Sequence, residues 1–247
     1  MKTFKARGIV LRETSVGECD KMVTLLLKGT GKLGVYAKGA RRSGSKFLAA
    51  TQLFTYSDFV LTQGNNFFAL AQADVIETFF GLGGSYELLV AASRAARLCD
   101  RVVLEQEPCD DILRLLIYTQ DALCKGKPPE LTEAAFAIKF LAHSGLAPMF
   151  SACSVCGKPL ESTDAGKQGL FPADQHGVIC SGCYIAGQIN LRIIGWLAES
   201  TRQAAAYVVD KEARRLFSFQ AAPQVLEQLA TYADTLLRIH FNIGIRD

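Results

Sequence analysis

Two pairs of cysteines constrain this chain more than any other feature of its sequence. Cys153 and Cys156 form one C-x-x-C pair, and Cys180 and Cys183 form a second after a gap of 23 residues. Four thiolates in two such pairs match the ligand set of a tetrahedral structural zinc site. The gap exceeds the usual interval of roughly 15–20 residues. A short hairpin between the pairs would accommodate the extra residues. The spacing therefore predicts one structural zinc ion, held in a module over residues 150–186.

Other chemistries stay open for these cysteines. Two redox pairs or a disulfide staple would use the same thiols, and His176, which lies between the pairs, can replace one cysteine as a ligand. A site with four thiolate ligands is full, so it has no open position for a substrate. The other cysteines are scattered, which is typical of reduced thiols in a cytosolic protein. They are Cys19, Cys99, Cys109 and Cys124.

The pattern of apolar residues changes from β to helical along the chain. The predicted strands cover residues 4–14, 22–27, 32–38, 51–62 and 67–78. A module of this size must protect its strand edges, which favours a small closed barrel of the OB type over a fragment of a sandwich. Glycines at 81, 83 and 84 then break the pattern, and predicted helices cover 88–103, 110–123, 134–143, 191–206 and 223–240.

These elements predict an α+β protein. A five-stranded OB-type β-barrel is followed by an α-helical domain that carries the four-cysteine module as a zinc-ribbon-like insertion. The predicted domain limits are 1–80 for the barrel, 81–149 and 187–247 for the two parts of the helical domain, and 150–186 for the zinc module.

Positive charge is concentrated at the amino-terminal end. Residues 1–50 contain 11 of the 27 lysines and arginines but three of the 24 acidic residues, so they carry +8 while the rest of the chain carries −5. Such a distribution indicates a surface that meets polyanions. No apolar run reaches the roughly 18 residues of a membrane span, and the start of the chain lacks the apolar stretch of a signal peptide. A cytoplasmic protein is expected.

The segment Lys38–Lys46, with the sequence KGARRSGSK, is predicted to be an exposed loop at the rim of the barrel. Glycines let backbone N–H groups approach a phosphate, serine hydroxyls donate hydrogen bonds, and arginine forks bind phosphate oxygens. A basic loop that is merely solvated is the alternative, but OB barrels commonly hold nucleic acid at their strand face and loops. The candidate contacts are Lys38, Arg41, Arg42, Ser45 and Lys46.

Neighbouring residues can extend this site. Tyr36 alternates with apolar residues, so it should point outward and can stack on a base, whereas most other aromatic residues of this region are expected in the barrel core. Lys32 is a further candidate cation. More cations can contribute, although some must face elsewhere: Lys2, Lys5, Arg7, Arg12, Lys21 and Lys28.

Catalytic motifs are absent from the sequence. There is no G-x-S-x-G and no H-E-x-x-H. The histidines at 143, 176 and 240 are far apart in the sequence and have no obvious carboxylate partners. We therefore predict no catalytic residues and a protein that is not an enzyme.

Several of these segments together resemble the RecO family of bacterial DNA repair proteins. Besides the cysteine pairs, they are Ala6-x-Gly8-Ile9-Val10-Leu11, Gly17-Glu18-x-Asp20-Lys21, Gly31-Lys32, Lys38-Gly39-Ala40-Arg41-Arg42-x-x-Ser45-Lys46 and Tyr86-Glu87-Leu88-Leu89. The resemblance implies an OB fold, a helical domain and a zinc-bearing insertion. It also implies binding of single- and double-stranded DNA and annealing of complementary strands. The implied partners are RecR and the acidic tail of the single-stranded-DNA-binding protein, with loading of RecA as the result.

Two rival functions stay open from the sequence alone. A zinc-containing enzyme that modifies nucleic acid would need a metal ligand position left open, for which His176 is the one hint. A zinc-ribbon assembly factor would use the basic face to bind an acidic protein partner. Two departures from the family pattern, His176-Gly177 before the second cysteine pair and the residues from 241 to 247, leave that hairpin and the tail undefined.

Overall fold

The computed structural model describes residues 2–65, 67–160, 169–172, 177–186 and 193–245. The chain divides into two compact units, Met1–Gly126 and Lys127–Asp247. The domain limits at residues 80, 149 and 186 stay predictions. Within the described ranges, no helix combines the length and the apolar character needed to cross a bilayer.

Five strands of the first unit close into a barrel, which confirms the predicted OB-type architecture. They are β1 (Lys2–Val16), β2 (Asp20–Leu27), β3 (Gly31–Ala37), β4 (Tyr56–Gln63) and β5 (Phe68–Glu77). The strand order around the barrel is β1-β2-β3-β5-β4. Strands β3 and β5 pair in parallel, and the other pairs, including the closing pair of β1 with β4, are antiparallel.

The barrel core follows the alternation of the sequence. In β3, Leu33, Val35 and Ala37 are buried in the core, and Tyr36 lies on the opposite face. Phe47 and Phe59 join the same core. With Phe4 and Phe68 packed against this core, most aromatic residues of the region stabilise the barrel, as expected from the sequence.

The strand predicted over residues 51–62 begins too early. Strand β4 begins at Tyr56, and the chain before it forms successive turns, in which Ser45 N–H donates to Arg42 O and Gln52 N–H donates to Ala49 O. The buried Thr51 hydroxyl donates to Phe47 O at 2.7 Å. Side-chain hydroxyls that bond to nearby carbonyls favour turns over strand pairing, so β-branched residues here do not extend the strand.

Two helices complete the first unit, α1 (Tyr86–Val102) and α2 (Asp110–Cys124). The segment between them lies against the start of β3, because Gln106 N–H donates to Lys32 O at 3.0 Å. Gly31, at φ 86°, is required here: a Cβ at this position would lie 2.0 Å from Glu107 O. Leu26 alternates with the core residues around it yet is fully buried, on a barrel whose strand β1 is packed by both α1 and α2 and whose strand β2 is packed by α2.

The second unit is built on a buried helix. Its elements are α3 (Pro129–Leu141), β6 (Met149–Cys153), β7 (Gly169–Pro172), β8 (Gly177–Val178), α4 (Ser181–Ile185), β9 (Ile193–Leu197), α5 (Glu199–Asp210) and α6 (Pro223–Phe241). Every residue of α3 from Leu131 to Leu141 is buried, and the helix packs against α5 and α6. Phe140 contacts Phe136 and Phe241, with ring centroids 5.8 and 6.3 Å away.

The helix predicted over residues 191–206 is wrong in its first part. Residues Ile193–Leu197 form strand β9, which pairs with β7, and helix α5 begins only at Glu199. Ile193, Ile194 and Trp196 have high β propensity. The partner strand lies more than 20 residues earlier in the sequence, so local periodicity does not reveal the pairing.

Candidate nucleic-acid interface and metal centre

The basic loop, residues 38–46, follows β3 and leads into the turns before β4. Lys38, Arg41, Arg42 and Lys46 are exposed. Ala40 is fully buried, and Gly39 and Gly44 adopt the left-handed conformation, with φ 67° and 74°. The loop is therefore fixed to the barrel by its small residues while its cations extend into solvent.

Asp20, the first residue of β2, positions the basic loop. Its Oδ1 accepts a hydrogen bond from Gly39 N–H at 2.6 Å, and its Oδ2 accepts one from the Tyr36 hydroxyl. The Tyr36 hydroxyl and the Gly39 amide lower the pKa of Asp20, and the same carboxylate raises the pKa of Tyr36. Arg41 N–H donates to Cys19 O at 2.8 Å. The turn between β1 and β2 thus sets the position of the loop.

The cations of the loop differ from the other cations of the barrel in their partners. Arg7 and Lys21 each pair with a carboxylate of the barrel. Among the described residues, no carboxylate lies within ion-pair distance of Lys38, Arg41, Arg42 or Lys46. Lys46 instead lies beside an aromatic ring, with its Nζ 5.1 Å from the centre of Phe47. The Asp20 carboxylate offsets the charge of Lys38 and Arg42 in part, but none of the four cations is engaged in an ion pair with a described residue, so they can meet an external anion.

Ser45 and Tyr36 occupy intermediate positions. Ser45 is half-buried, and its Oγ accepts a hydrogen bond from Phe47 N–H at 3.3 Å, so the hydroxyl proton is directed elsewhere. Tyr36 is half-buried on the outer face beside Met22, its partner on β2, which is exposed. The outer face of the hairpin next to the loop therefore offers an apolar, aromatic surface.

Lys32 lies apart from the basic loop. Its ammonium donates to Asp100 O and lies 3.8 Å from Asp100 Oδ1, and its side chain is 14 % exposed. Arg12 Nε lies 3.0 Å from the other oxygen of the same carboxylate. Both cations attach α1 to the barrel, a role that depends on tertiary packing and that the sequence pattern does not show.

A second cationic feature occupies the outer face of β1, β4 and β5. Lys5, Arg7 and Lys28 line a groove of about 520 Å³ together with Asp58 and Asp74. Arg7 forms a two-pronged ion pair with Asp58 at 2.7 and 2.8 Å. Lys28 follows the last residue of β2, roughly 25 Å along the strand from Asp20. The predicted extension of the patch thus divides between the two ends of the β2–β3 hairpin.

Replacing Asp20 with alanine is expected to release the basic loop. The Gly39 amide and the Tyr36 hydroxyl lose their acceptor, so trypsin should cleave after Arg41 and Arg42 several-fold faster than in the wild-type protein. Because the pKa of folded Asp20 lies below its ordinary value of 3.8, the anchor is complete above about pH 4 and is lost as the pH falls through the lowered pKa. Glu18→Ala removes an exposed acid from the same turn and serves as the control. Equal cleavage rates in both variants would show that Asp20 does not hold the loop.

Four sulfur atoms converge in the second unit. The Sγ atoms of Cys153, Cys156, Cys180 and Cys183 all lie within 4.8 Å of one another. Cys153 ends β6 and is followed by a turn that brings Cys156 back toward it, and Cys180 precedes the short helix α4, which contains Cys183. The two pairs, far apart in sequence, therefore form one cluster, as their spacing predicted.

Backbone N–H groups support thiolates in this cluster. Cys180 N–H donates to Cys153 Sγ at 3.3 Å, and Cys183 N–H donates to Cys180 Sγ at 3.4 Å. Burial favours the neutral thiol of Cys153, but the N–H groups of Cys156, Cys180 and Val155 outweigh it and lower its pKa to about 6. Hydrogen bonds to the Cys156 and Cys180 thiols raise the pKa of Cys183 to about 12. Four thiols so arranged fit a metal ion.

The alternative chemistries fit this cluster less well. Cys156 Sγ and Cys180 Sγ lie 3.9 Å apart, against about 2.05 Å in a disulfide, and all eight cysteines are free. His176 lies outside the described residues. Gly177 is held at φ 141°, and a Cβ here would lie 2.5 Å from Met149 O, so the chain next to His176 packs closely on β6.

Comparison with known proteins covers nearly the whole chain. The family model "Recombination protein O N terminal" matches residues 1–79, and "Recombination protein O C terminal" matches residues 84–246. A DNA repair protein RecO of Acetivibrio thermocellus is 31 % identical over 239 residues, 96 % of this chain and 92 % of the relative. The proteins of the same name from Heliobacterium modesticaldum and Listeria monocytogenes serotype 4a are 29 % and 32 % identical. These matches cover 96 % and 73 % of this chain, and 85 % and 68 % of the relatives.

Proposed function

Because the chain belongs to the recombination protein O family of DNA repair proteins, we propose that it is a non-catalytic, DNA-binding mediator of recombinational repair. The observation that carries this proposal is the basic loop, where four exposed cations lie on an OB-type barrel with no carboxylate of the described residues at ion-pair distance. Arginine and lysine side chains on such a surface bind phosphates regardless of sequence. Lys38, Arg41, Arg42, Ser45 and Lys46 are the proposed phosphate contacts, and Tyr36 is the proposed stacking residue.

The proposed activity is annealing of complementary strands. Two strands repel each other through their phosphates, and cations that neutralise one strand lower that repulsion. Base pairing then supplies the free energy, so neither a nucleotide cofactor nor a catalytic residue is needed. The same contacts bind the backbone of double-stranded DNA, since phosphates carry no sequence information.

The proposed partners follow from the family relationship. We propose that the protein acts with RecR on strands coated by single-stranded-DNA-binding protein, whose acidic tail it contacts, and that this action helps to load RecA. A role on chromosomal DNA also predicts that the protein is found at the nucleoid, in the cytoplasm.

The four-thiol cluster is proposed to hold one structural zinc ion. Cys153, Cys156, Cys180 and Cys183 supply a full set of ligands, so the ion would brace the chain around them and would not activate a water molecule. Each cysteine pair would reach the ion from a separate segment, so the ion would tie the turn after β6 to the start of α4.

An annealing assay without ATP tests the proposed function. The full-length protein is expected to accelerate the pairing of two complementary oligonucleotides, one of them labelled with a fluorophore and the other with a quencher. Acceleration should fall as salt rises, because each phosphate contact contributes roughly −0.7 to the logarithmic salt dependence on single strands. A pairing rate equal to that of the protein-free reaction at low salt would contradict the proposal.

A further inference from the structure

A second basic and aromatic surface lies in the other unit, and none of its residues is among the contacts proposed above. It is formed by residues 207–219, where helix α5 ends and a short 3-10 helix, Ala213–Ser218, follows. Arg214 and Arg215 are exposed, and Lys211 is half-exposed. Tyr207 and Phe219 begin and end the segment. We call this region the 207–219 surface.

The packing of the 207–219 surface fixes the cations in place. Leu216 is fully buried and Phe217 nearly so, which directs the preceding two arginines outward. The Tyr207 hydroxyl lies 2.9 Å from Ser218 Oγ, which donates to Arg215 O at 2.7 Å. The backbone that carries the arginines is therefore tied to α5, and little ordering entropy remains to be lost when an anion binds.

The aromatic residues add a second kind of contact. The rings of Tyr207 and Phe219 lie 5.4 Å apart at 54°, and both are half-buried. Lys211 Nζ lies 5.4 Å from the centre of the Tyr207 ring, a cation–π distance. Cations beside partly exposed rings are the combination by which proteins hold single-stranded nucleic acid, since phosphates meet the charges and bases stack on the rings.

The local charge balance leaves both arginines available. Asp210 Oδ2 lies 3.6 Å from Lys211 Nζ and compensates that cation in part, and with the exposed Glu212 it leaves residues 207–219 a net charge of +1. In the portion of the chain that the structure describes, no carboxylate lies within ion-pair distance of Arg214 or Arg215. Guanidinium groups bind phosphate oxygens through two parallel hydrogen bonds.

We infer that the 207–219 surface binds a second single strand of nucleic acid. The inference rests on the proposed function, because annealing requires two strands and the basic loop is proposed to hold one. An acidic peptide could also meet the arginines, but it would make no use of the aromatic pair, so the nucleic acid is favoured.

The test uses full-length Arg214→Ala/Arg215→Ala protein. Loss of two phosphate contacts should lower the logarithm of the affinity for the second strand by about 1.4 at 0.1 M salt, which corresponds to an annealing rate lower by about 25-fold if binding of that strand limits the rate. Arg214→Lys/Arg215→Lys keeps the charge and should retain most of the rate. Lys125→Ala/Lys127→Ala removes the same charge elsewhere and should anneal like the wild type. An unchanged rate in the double alanine variant overturns the inference.

Photochemical cross-linking separates failure of this inference from failure of the proposed function. Iodouracil-containing oligonucleotides should cross-link to the peptide that contains Tyr207 and Phe219, and this measurement requires no annealing activity. Cross-links there in a protein that does not anneal would support the 207–219 surface and contradict the proposed function. Annealing without cross-links, or binding of a polyglutamate peptide at this surface without cross-links, overturns the inference.

Discussion

Replacement of Arg41, Arg42 and Lys46 with alanine is expected to lower the affinity for single-stranded DNA about a hundredfold at 0.1 M salt. Each lost phosphate contact removes roughly 0.7 from the slope of log affinity against log salt, so three lost contacts remove about 2. The loss should be the same for oligonucleotides of different sequence, because phosphate contacts do not read bases. Fluorescence anisotropy between about 0.05 and 0.2 M salt measures both the slope and the affinity.

The control for this variant keeps the two positive charges at positions 41 and 42 but replaces the planar guanidinium groups with ammonium groups. In Arg41→Lys/Arg42→Lys protein, the salt slope should equal that of the wild type, because the number of displaced counterions depends on charge. The affinity should fall only slightly, since lysine lacks the fork that binds two oxygens at once. If the triple alanine variant had the same salt slope as the wild type, the basic loop would not be part of the DNA-binding site.

Removal of the proposed zinc ion is expected to unfold the cysteine module before the rest of the protein. Structural zinc sites contribute about 10–16 kcal/mol of apparent binding free energy in zinc-finger peptides, which equals or exceeds the roughly 5–15 kcal/mol stability of a typical domain. Cys180→Ser protein, or wild-type protein treated with a chelator, should therefore lose hydrogen-exchange protection in the segments around 149–160 and 177–186. Elemental analysis should show one zinc ion per wild-type chain and none per variant chain.

A cysteine outside the cluster provides the matched control. Cys19 is half-buried in the first unit, so Cys19→Ser should leave both the zinc content and the exchange pattern of the module unchanged. The cluster would bind no structural ion if all four thiols reacted with a thiol reagent and if a chelator did not change the folding of the protein.

The barrel was predictable because the residues that mark its strands and turns lie close together in the sequence. Alternation in β3 identifies the core face, the apolar run in β2 marks a buried strand, and glycines mark the turns. The prediction failed at β9, where Ile193 to Leu197 depends on pairing with β7, and at residues 51–55, where threonine hydroxyls bond to nearby carbonyls. The first error arises because a distant partner strand decides the backbone conformation, and the second arises because local side-chain hydrogen bonds compete with strand pairing.

The candidate site was predictable to different degrees. The four-thiol cluster follows from the spacing of the cysteine pairs alone, and the basic loop follows from composition next to a strand. The role of Asp20 could not be predicted from the sequence, because an acidic residue in a turn is expected to be solvated. The structure shows that its oxygens accept hydrogen bonds from Tyr36 and Gly39. From the sequence alone, Lys32 resembles one more cation of the basic patch. In the folded protein, α1 places Asp100 beside it, and the two residues form an ion pair.

The attachment of α1 through Asp100 limits how much of a strand the barrel can cover. Arg12 and Lys32 are engaged with that carboxylate, and the outer face at Leu26 is closed to solvent. The cationic surface that stays open is divided between the basic loop at one end of the β2–β3 hairpin and the groove beside Lys28 at the other end. Short, separate contact areas favour rapid release of a bound strand, which the proposed mediator function requires.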